Sequence, residues 1–386
     1  MADRIVLNSI SYHGHGAIEN IVPELTARGY KKAFVCSDPD LIKFGVTGKI
    51  TALLDAASFP YAVYSEIKPN PTIENVQNGV QAFKDAGADC IVAVGGGSAI
   101  DLSKSVRKFA GQVDPTFRPR LVCIPTTSGT GSEVTSFAVI TDPETNVKIP
   151  LSEADMTPDE AILDVEMVKS VPPQVTADTG MDVLTHAIEA YVSINNNEFS
   201  GALAEKAVEI CGQFLLRSYA SNEDTHARRK MHVASCLAGL AFNSASLGLN
   251  HGMAHQLGAQ FHIPHGRANA ILLPYTIEYN SGINRNSKSR EHYDPCVRKY
   301  CNMARILGVA NLNEITTIHA LVSYVQFLSK EMNIPLTVSG LGSVSEGEYM
   351  AKVDEMAEAA LHDGTTATNP RKPTKEEVVE LFRKIW

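Results

Sequence analysis

The sequence predicts an α/β half built on a parallel sheet, followed by an all-helical half. Three observations predict it. Short apolar runs alternate with helical patterns through the first half. From about Thr176 onward only helical periodicity continues. Between the two rhythms stand Pro172 and Pro173, a pair that stops a helix and stiffens a joint. A chain of 386 residues has room for two to three domains at roughly 150 residues each. The proline pair sets the expected domains at 1–172 and 173–386.

Taken in order, residues 32–38 (KKAFVCSD without its first Lys) read as a strand that Pro39 ends, and residues 61–67 read as another. Residues 73–87 have helical spacing, with Ile73, Val76, Val80 and Phe83 on one face. Residues 90–94 (CIVAV) form an apolar run that stops at three glycines, and residues 121–124 repeat the pattern and stop at Pro125. Apolar strands linked by helices at this spacing imply a parallel sheet with helices on both faces. In the second half, residues 177–193, 202–217, 227–246 and 315–332 carry i, i+3/i+4 apolar spacing, and 282–291 is a polar loop.

Composition narrows the class. Lys and Arg number 34 against 43 Asp and Glu, a net charge of −9 with no basic run, which argues against nucleic acid as a partner. No apolar stretch approaches the ~20 residues of a membrane span. The opening MADRIVLNSISYHG has neither the apolar core nor the cleavage site of a signal peptide. Seven cysteines, an odd number without a CxxC pair, fit reduced buried thiols. A cytoplasmic chain with no membrane partner is therefore expected. A core this large needs no metal staple, so a metal here would serve chemistry.

Two glycine-rich turns carry the first functional signal. In IVAVGGGSAID (91–101) a buried strand runs into Gly95, Gly96 and Gly97, and Ser98 opens a helix ahead of Asp101. Bare backbone permits close approach of a pyrophosphate, and a helix N-terminus offers free N–H groups to phosphate. In IPTTSGTGSEV (124–134) Thr126, Thr127, Ser128 and Ser132 add hydroxyls after a second strand. Turns at the C-terminal ends of neighbouring parallel strands are where open α/β sheets bind ligands. Asp38 closes an earlier strand, where an acidic residue can bond a ribose 2′-OH and repel a 2′-phosphate, favouring NAD(H). It reads equally well as a turn-forming Asp before Pro39.

The second signal is a cluster of metal-ligand types. Four of the 12 histidines fall within residues 251–265. His251 and His255 are four apart, and His265 follows in a turn bracketed by Pro264 and Gly266. Upstream, GMDVLTHAIEAY places Asp182 and His186 four apart on a helical segment. Together they supply enough ligands for one divalent ion, and imidazoles with a carboxylate suit Fe²⁺ or Zn²⁺ rather than Mg²⁺ or Ca²⁺.

In order along the chain, GGGSAID (95–101), PTTSGTGSE (125–133), GMDVLTH (180–186) and HGMAH (251–255) through PHG (264–266) resemble the motifs of the iron-containing (group III) alcohol dehydrogenase family. The resemblance runs from Tyr12 to the closing segment. It implies an N-terminal Rossmann-like dinucleotide-binding domain and an all-α metal-binding domain, the dehydroquinate synthase-like fold. It implies Asp182, His186, His251 and His265 as ligands of Fe²⁺, with Zn²⁺ an alternative, and His255 as a proton relay near substrate and nicotinamide. Asp38, Asn70, Gly95, Gly96, Gly97, Ser98, Thr126, Thr127 and Lys148 match cofactor contacts, with Asp101 and Ser132 in the same motifs. Phe137 and Phe242 fall where relatives line the substrate pocket. Among family branches the sequence resembles the propanol dehydrogenases of propanediol-utilising microcompartments and the lactaldehyde reductases. That branch implies NADH-dependent reduction of a short-chain aldehyde, in a cytoplasmic or microcompartment enzyme that forms homodimers or larger homo-oligomers. Arg267 departs from the pattern, since many relatives carry a small or aliphatic residue there. A cation beside the metal would instead suit an anionic aldehyde, as in the family's sulfoacetaldehyde reductases. A non-redox enzyme of the dehydroquinate synthase type would share fold, NAD and metal.

Overall fold

The computed structural model describes residues 3–113, 118–143, 148–284, 286–287 and 296–386. The chain divides into two compact units, one at 4–171 and the other running from Pro172 to Trp386.

The first unit is built on a six-stranded parallel sheet. Its strands are β1 (Ile10–His13), β2 (Ala33–Ser37), β3 (Tyr61–Tyr64), β4 (Cys90–Gly95), β5 (Arg120–Pro125) and, later in the chain, β8 (Glu160–Leu163). They lie in the order β1-β8-β5-β4-β2-β3. The strands between the edges are mostly apolar because helices cover both faces, and the two charged residues among them, Arg120 on β5 and Glu160 on β8, pair with each other at 3.1 Å. Phe34, Cys36, Ile91, Ala93, Leu121 and Cys123 point to one face. There they meet α4 (Ile73–Ala86) and α5 (Gly97–Val113). Ala33, Val35, Val92, Val94, Val122 and Ile124 point to the other. That face is covered by α1 (Ile21–Ala27) and α3 (Val46–Ala56). Two short helices, α2 (Pro39–Lys43) and α6 (Val165–Val168), complete the unit.

The structure refines several expectations. The strand expected at 61–67 ends at Tyr64, where its pairing with β2 ends. Ile73 is exposed because it starts α4, and the buried face is Val76, Gly79 and Phe83. Gly79 is required there: a Cβ would lie 2.7 Å from a Val106 methyl. An antiparallel pair, β6 (Phe137–Thr141) with β7 (Lys148–Ser152), was not expected from sequence.

The second unit is helical: α7 (Pro173–Val192), α8 (Glu198–Ala220), α9 (Thr225–Ala245), α10 (Leu249–Phe261), α11 (His265–Ser281), α12 (Cys296–Ile306), α13 (Glu314–Glu331), α14 (Glu346–His362) and α15 (Lys375–Lys384). Pro172 and Pro173 do not end a helix but begin α7, as N-cap and first residue. A first-turn proline sacrifices no hydrogen bond there. Leu249, Met253, Leu257, Ile271, Tyr349 and Phe382 are among the residues packing α10, α11, α14 and α15 together. Of the polar loop expected at 282–291, residues 285 and 288–291 lie outside the described residues. Among the described residues no single helix is long and apolar enough to cross a membrane.

Candidate active site

The two glycine turns sit at the C-terminal edge of adjacent strands, next to the point where strand order reverses between β2 and β4. Thr126 N–H donates to Gly95 O at 3.1 Å, which ties the turns together. Their closeness demands glycine. A Cβ on Gly95 would lie 2.5 Å from Ala99 Cβ, and one on Gly97 3.0 Å from a Thr130 methyl. Gly97 starts α5, so the helix N-terminus opens at this edge. Asn70, in the left-handed region at φ 53°, donates its N–H to Ser98 Oγ at 3.3 Å. The structure thus brings Asn70, Gly95, Gly96, Gly97, Ser98, Thr126 and Thr127 into one cradle. Asp38 follows β2 on the same edge and caps α2, accepting from Leu41 N–H at 3.0 Å. Both readings of Asp38 are compatible with this, since one oxygen serves the turn.

Asp101 and Ser132 brace the cradle from behind. Ser132 Oγ donates to Asp101 at 2.6 Å, and the other Asp101 oxygen accepts from Val139 N–H at 3.0 Å. Lys104, one helical turn on, is fully buried and donates to Phe137 O at 2.6 Å and Thr135 Oγ1 at 3.2 Å. Burial pulls its amine down to about 8. Sequence reading missed Lys104. Phe137 is half-buried at the start of β6. Lys148 begins β7, but its side chain lies outside the described residues.

In the helical unit, Asp182, His186, His251 and His265 offer ligand atoms that all lie within 4.8 Å of one another. Asp182 and His186 lie on one face of α7, and His251 lies in the first turn of α10. His265 is not in a loop, as its bracketing suggested, but is the first residue of α11 with Pro264 as N-cap. Burial alone would raise Asp182, yet the His186, His265 and His251 imidazoles hold it well below the usual carboxylate range. Burial would lower His251, but Glu189 and Asp182 lift it to about 9. The centre therefore favours positive charge. Three imidazoles and a carboxylate in a largely buried pocket match the donor set of a divalent transition metal.

Around these four, Phe242, His255 and Arg267 were read from sequence, whereas Asn269, Asn250, Glu189 and Asp363 were not. Asn269, buried four residues after His265, donates its amide to Asp182 at 2.7 Å. That nitrogen lies 3.1 and 3.2 Å from Nε2 of His251 and His265. Asn250 holds the other end of the Asn269 amide at 2.9 Å. Glu189 bonds His251 Nδ1. Phe242 stacks on His186 with ring centroids 4.6 Å apart. His255 stands beside the four, its ring 5.4 Å from that of His265 and its Nδ1 bonded to Asp363 at 2.7 Å. Burial would raise Asp363, but His255 and Thr365 hold it below the usual range. The i+4 step from His265 to Asn269 was a usable signal. Asp363, 108 residues from His255, left none. Arg267 does not stand as a lone cation: it forms a two-pronged pair with Asp178 at 3.1 and 3.0 Å.

Comparison with known proteins agrees. Residues 8–165 match iron-containing alcohol dehydrogenase, and residues 176–386 match the C-terminal region of the Fe-containing alcohol dehydrogenase family. The chain is 43% identical to the 1-propanol dehydrogenase PduQ of Salmonella typhimurium, over 84% of this chain and 85% of the relative. It is 36% identical to the NADPH-dependent butanol dehydrogenase of Clostridium saccharobutylicum, over 99% and 98%. A solved 1,3-propanediol oxidoreductase superposes with a TM-score of 0.91 at 32% identity, each chain fully covered. The doubly wound sheet with its glycine cradle, the helical unit with its four donors, and these matches have one explanation: the chain belongs to the iron-containing alcohol dehydrogenase family.

Proposed function

We propose that Asp182, His186, His251 and His265 hold one Fe²⁺, and that the chain uses NADH to reduce an uncharged short-chain aldehyde, such as propanal or lactaldehyde, to its primary alcohol. The observation that carries this is the convergence of four donors from α7, α10 and α11 within 4.8 Å. When bound, the ion supplies Lewis-acid polarisation of a carbonyl oxygen, and the nicotinamide supplies hydride. The chain's residues do the rest. Gly95, Gly96, Gly97 and Ser98 admit the pyrophosphate to the N-terminus of α5, and Thr126, Thr127 and Asn70 border it. Asp38 accepts from the ribose hydroxyls. Phe242 presents an apolar ring beside His186. The Asp363 carboxylate accepts from His255 Nδ1–H, so the doubly protonated ring can give its Nε2 proton to the product oxygen and remain as the neutral Nδ1–H form.

The anionic-aldehyde reading is not favoured. Its support was an unneutralised Arg267, and Asp178 neutralises it. A dehydroquinate synthase-type reaction consumes no NADH overall, whereas the relatives above are named as alcohol dehydrogenases. The family resemblance also supports a homodimer or larger homo-oligomer, and a cytoplasmic or microcompartment location. The deciding experiment is anaerobic NADH oxidation with propanal, acetaldehyde, lactaldehyde and sulfoacetaldehyde, on protein loaded with Fe²⁺ or with Zn²⁺. Turnover of neutral aldehydes by the Fe²⁺ form is expected. No net NADH consumption with any aldehyde would refute the activity, and preference for sulfoacetaldehyde would refute the substrate class.

A further inference from the structure

We infer that Glu189 is the positioning residue of this centre: its carboxylate sets the tautomer of His251, so that the Nε2 lone pair faces Asp182. The inference rests on reading the four donors as an ion site. Helix α7 carries Asp182, His186 and Glu189 at steps of four and three, which places all three on one face. Glu189 is buried and spends both oxygens on the start of α10. Oε2 accepts from His251 Nδ1–H, and Oε1 accepts from Asn250 N–H at 2.9 Å. The approach is so close that residue 248 must be glycine. A Cβ there would lie 2.7 Å from Glu189 Oε1 and 2.8 Å from Asn369 Oδ1.

Two donors therefore meet two acceptors, and only a carboxylate provides both. A backbone N–H is always a donor, so Oε1 has no alternative role. With Nδ1 protonated, the neutral ring has its lone pair on Nε2. That nitrogen lies 3.7 Å from Asp182 Oδ1, on the side of the other ligands. Glutamine has the same shape but one oxygen and one NH₂. If its oxygen serves Asn250, the NH₂ faces Nδ1 and drives the ring proton to Nε2, where an ion needs the lone pair. If its oxygen serves Nδ1, a buried NH₂ opposes the Asn250 N–H. Metal-bound histidines commonly rely on such a carboxylate, whose loss costs about 10–100-fold in metal affinity.

The test compares metal-free full-length wild type and Glu189→Gln by anaerobic Co²⁺ titration, read from the d–d absorption. Circular dichroism, apo melting temperature and NADH binding are measured on the same samples. We expect Glu189→Gln to bind Co²⁺ about 10–100-fold more weakly, with the other three readings unchanged. Equal Co²⁺ affinity overturns the inference. So does a weakening matched by a lower apo melting temperature, which would make Glu189 a helix cap only. If the variant does not fold, two-bond ¹H–¹⁵N spectra of Zn²⁺-loaded wild type decide. His251 protonated at Nδ1 supports the inference, and an unprotonated Nδ1 refutes it. A wild type that takes up no Co²⁺ would remove the ion site itself, a separate failure.

Discussion

At the scale of single residues, two charged side chains can be tested for a part in cofactor and substrate choice. Asp38 caps α2 with one oxygen, and the other is available to a ribose hydroxyl. An NADPH 2′-phosphate would meet that carboxylate, so wild type is expected to prefer NADH in kcat/KM. Asp38→Gly is the informative variant, because glycine replaces a capping Asp at a cost of only a few tenths of a kcal/mol. The NADH preference should narrow by about tenfold, or 1.4 kcal/mol, with little change in melting temperature. Equal use of both cofactors by wild type would contradict this role. Arg267 is bound by Asp178, whose carboxyl is raised by burial despite the pair. Arg267→Val leaves that buried carboxylate without its partner, so a stability loss of about 1–3 kcal/mol is expected. Activity on propanal and on sulfoacetaldehyde should fall by the same factor. A selective loss with sulfoacetaldehyde would return Arg267 to substrate recognition.

At the scale of elements, the donor spacing depends on how closely α7 and α11 approach. Gly266 sets that distance: a Cβ there would lie 2.0 Å from the Asp178 carbonyl oxygen and 3.2 Å from Asp182 Cβ. Backbone does not yield as a side-chain tip does, so Gly266→Ala must push the helices apart and carry His265 away from Asp182. We expect about 1–3 kcal/mol of destabilisation from overpacking, together with weaker Co²⁺ uptake in a spectroscopic titration. Wild-type affinity in Gly266→Ala would show that the centre tolerates helix displacement. The sequence displays Gly266 only as punctuation after Pro264, which is why His265 read as a turn residue. Patterns that repeat are legible: the apolar runs of β2, β4 and β5, and the amphipathic spacing of α7 to α9. β6 alternates in burial, but its residues FAVIT do not alternate in polarity, and β7 carries Pro150 at its centre, so neither strand shows a strand pattern in the sequence. The cluster of Asp182, His186, His251, His255 and His265 was visible because its residue types and spacing are uncommon, and the family resemblance singled out the four candidate ligands. Glu189 and Asn269 were not, because a single Glu or Asn on a helix has many ordinary uses, and only the fold reveals which donor each one meets.

At the scale of the whole molecule, the ion site is separable from what holds the chain together. The first unit has apolar packing on both faces of its sheet, and the second has its own core through α10, α11, α14 and α15. Neither core is built from the four donors. His265 illustrates this. Its side chain is about one third exposed at the first position of α11, so truncating it opens little cavity. His265→Ala should therefore lose bound metal and reductase activity together, while circular dichroism and NADH binding stay as in wild type. His255→Ala should separate these properties differently. Its Nδ1 is engaged by Asp363 and it is not one of the four converging donors. Metal should remain, turnover should slow by about 100-fold or more as for loss of an acid–base group, and the pH dependence of kcat should change. Metal analysis of the two purified variants, loaded anaerobically with Fe²⁺, checks both halves. Full occupancy in His265→Ala, or an empty site in His255→Ala, would require a different assignment of ligand and relay. Unfolding of His265→Ala would mean that the metal supports the helical unit after all.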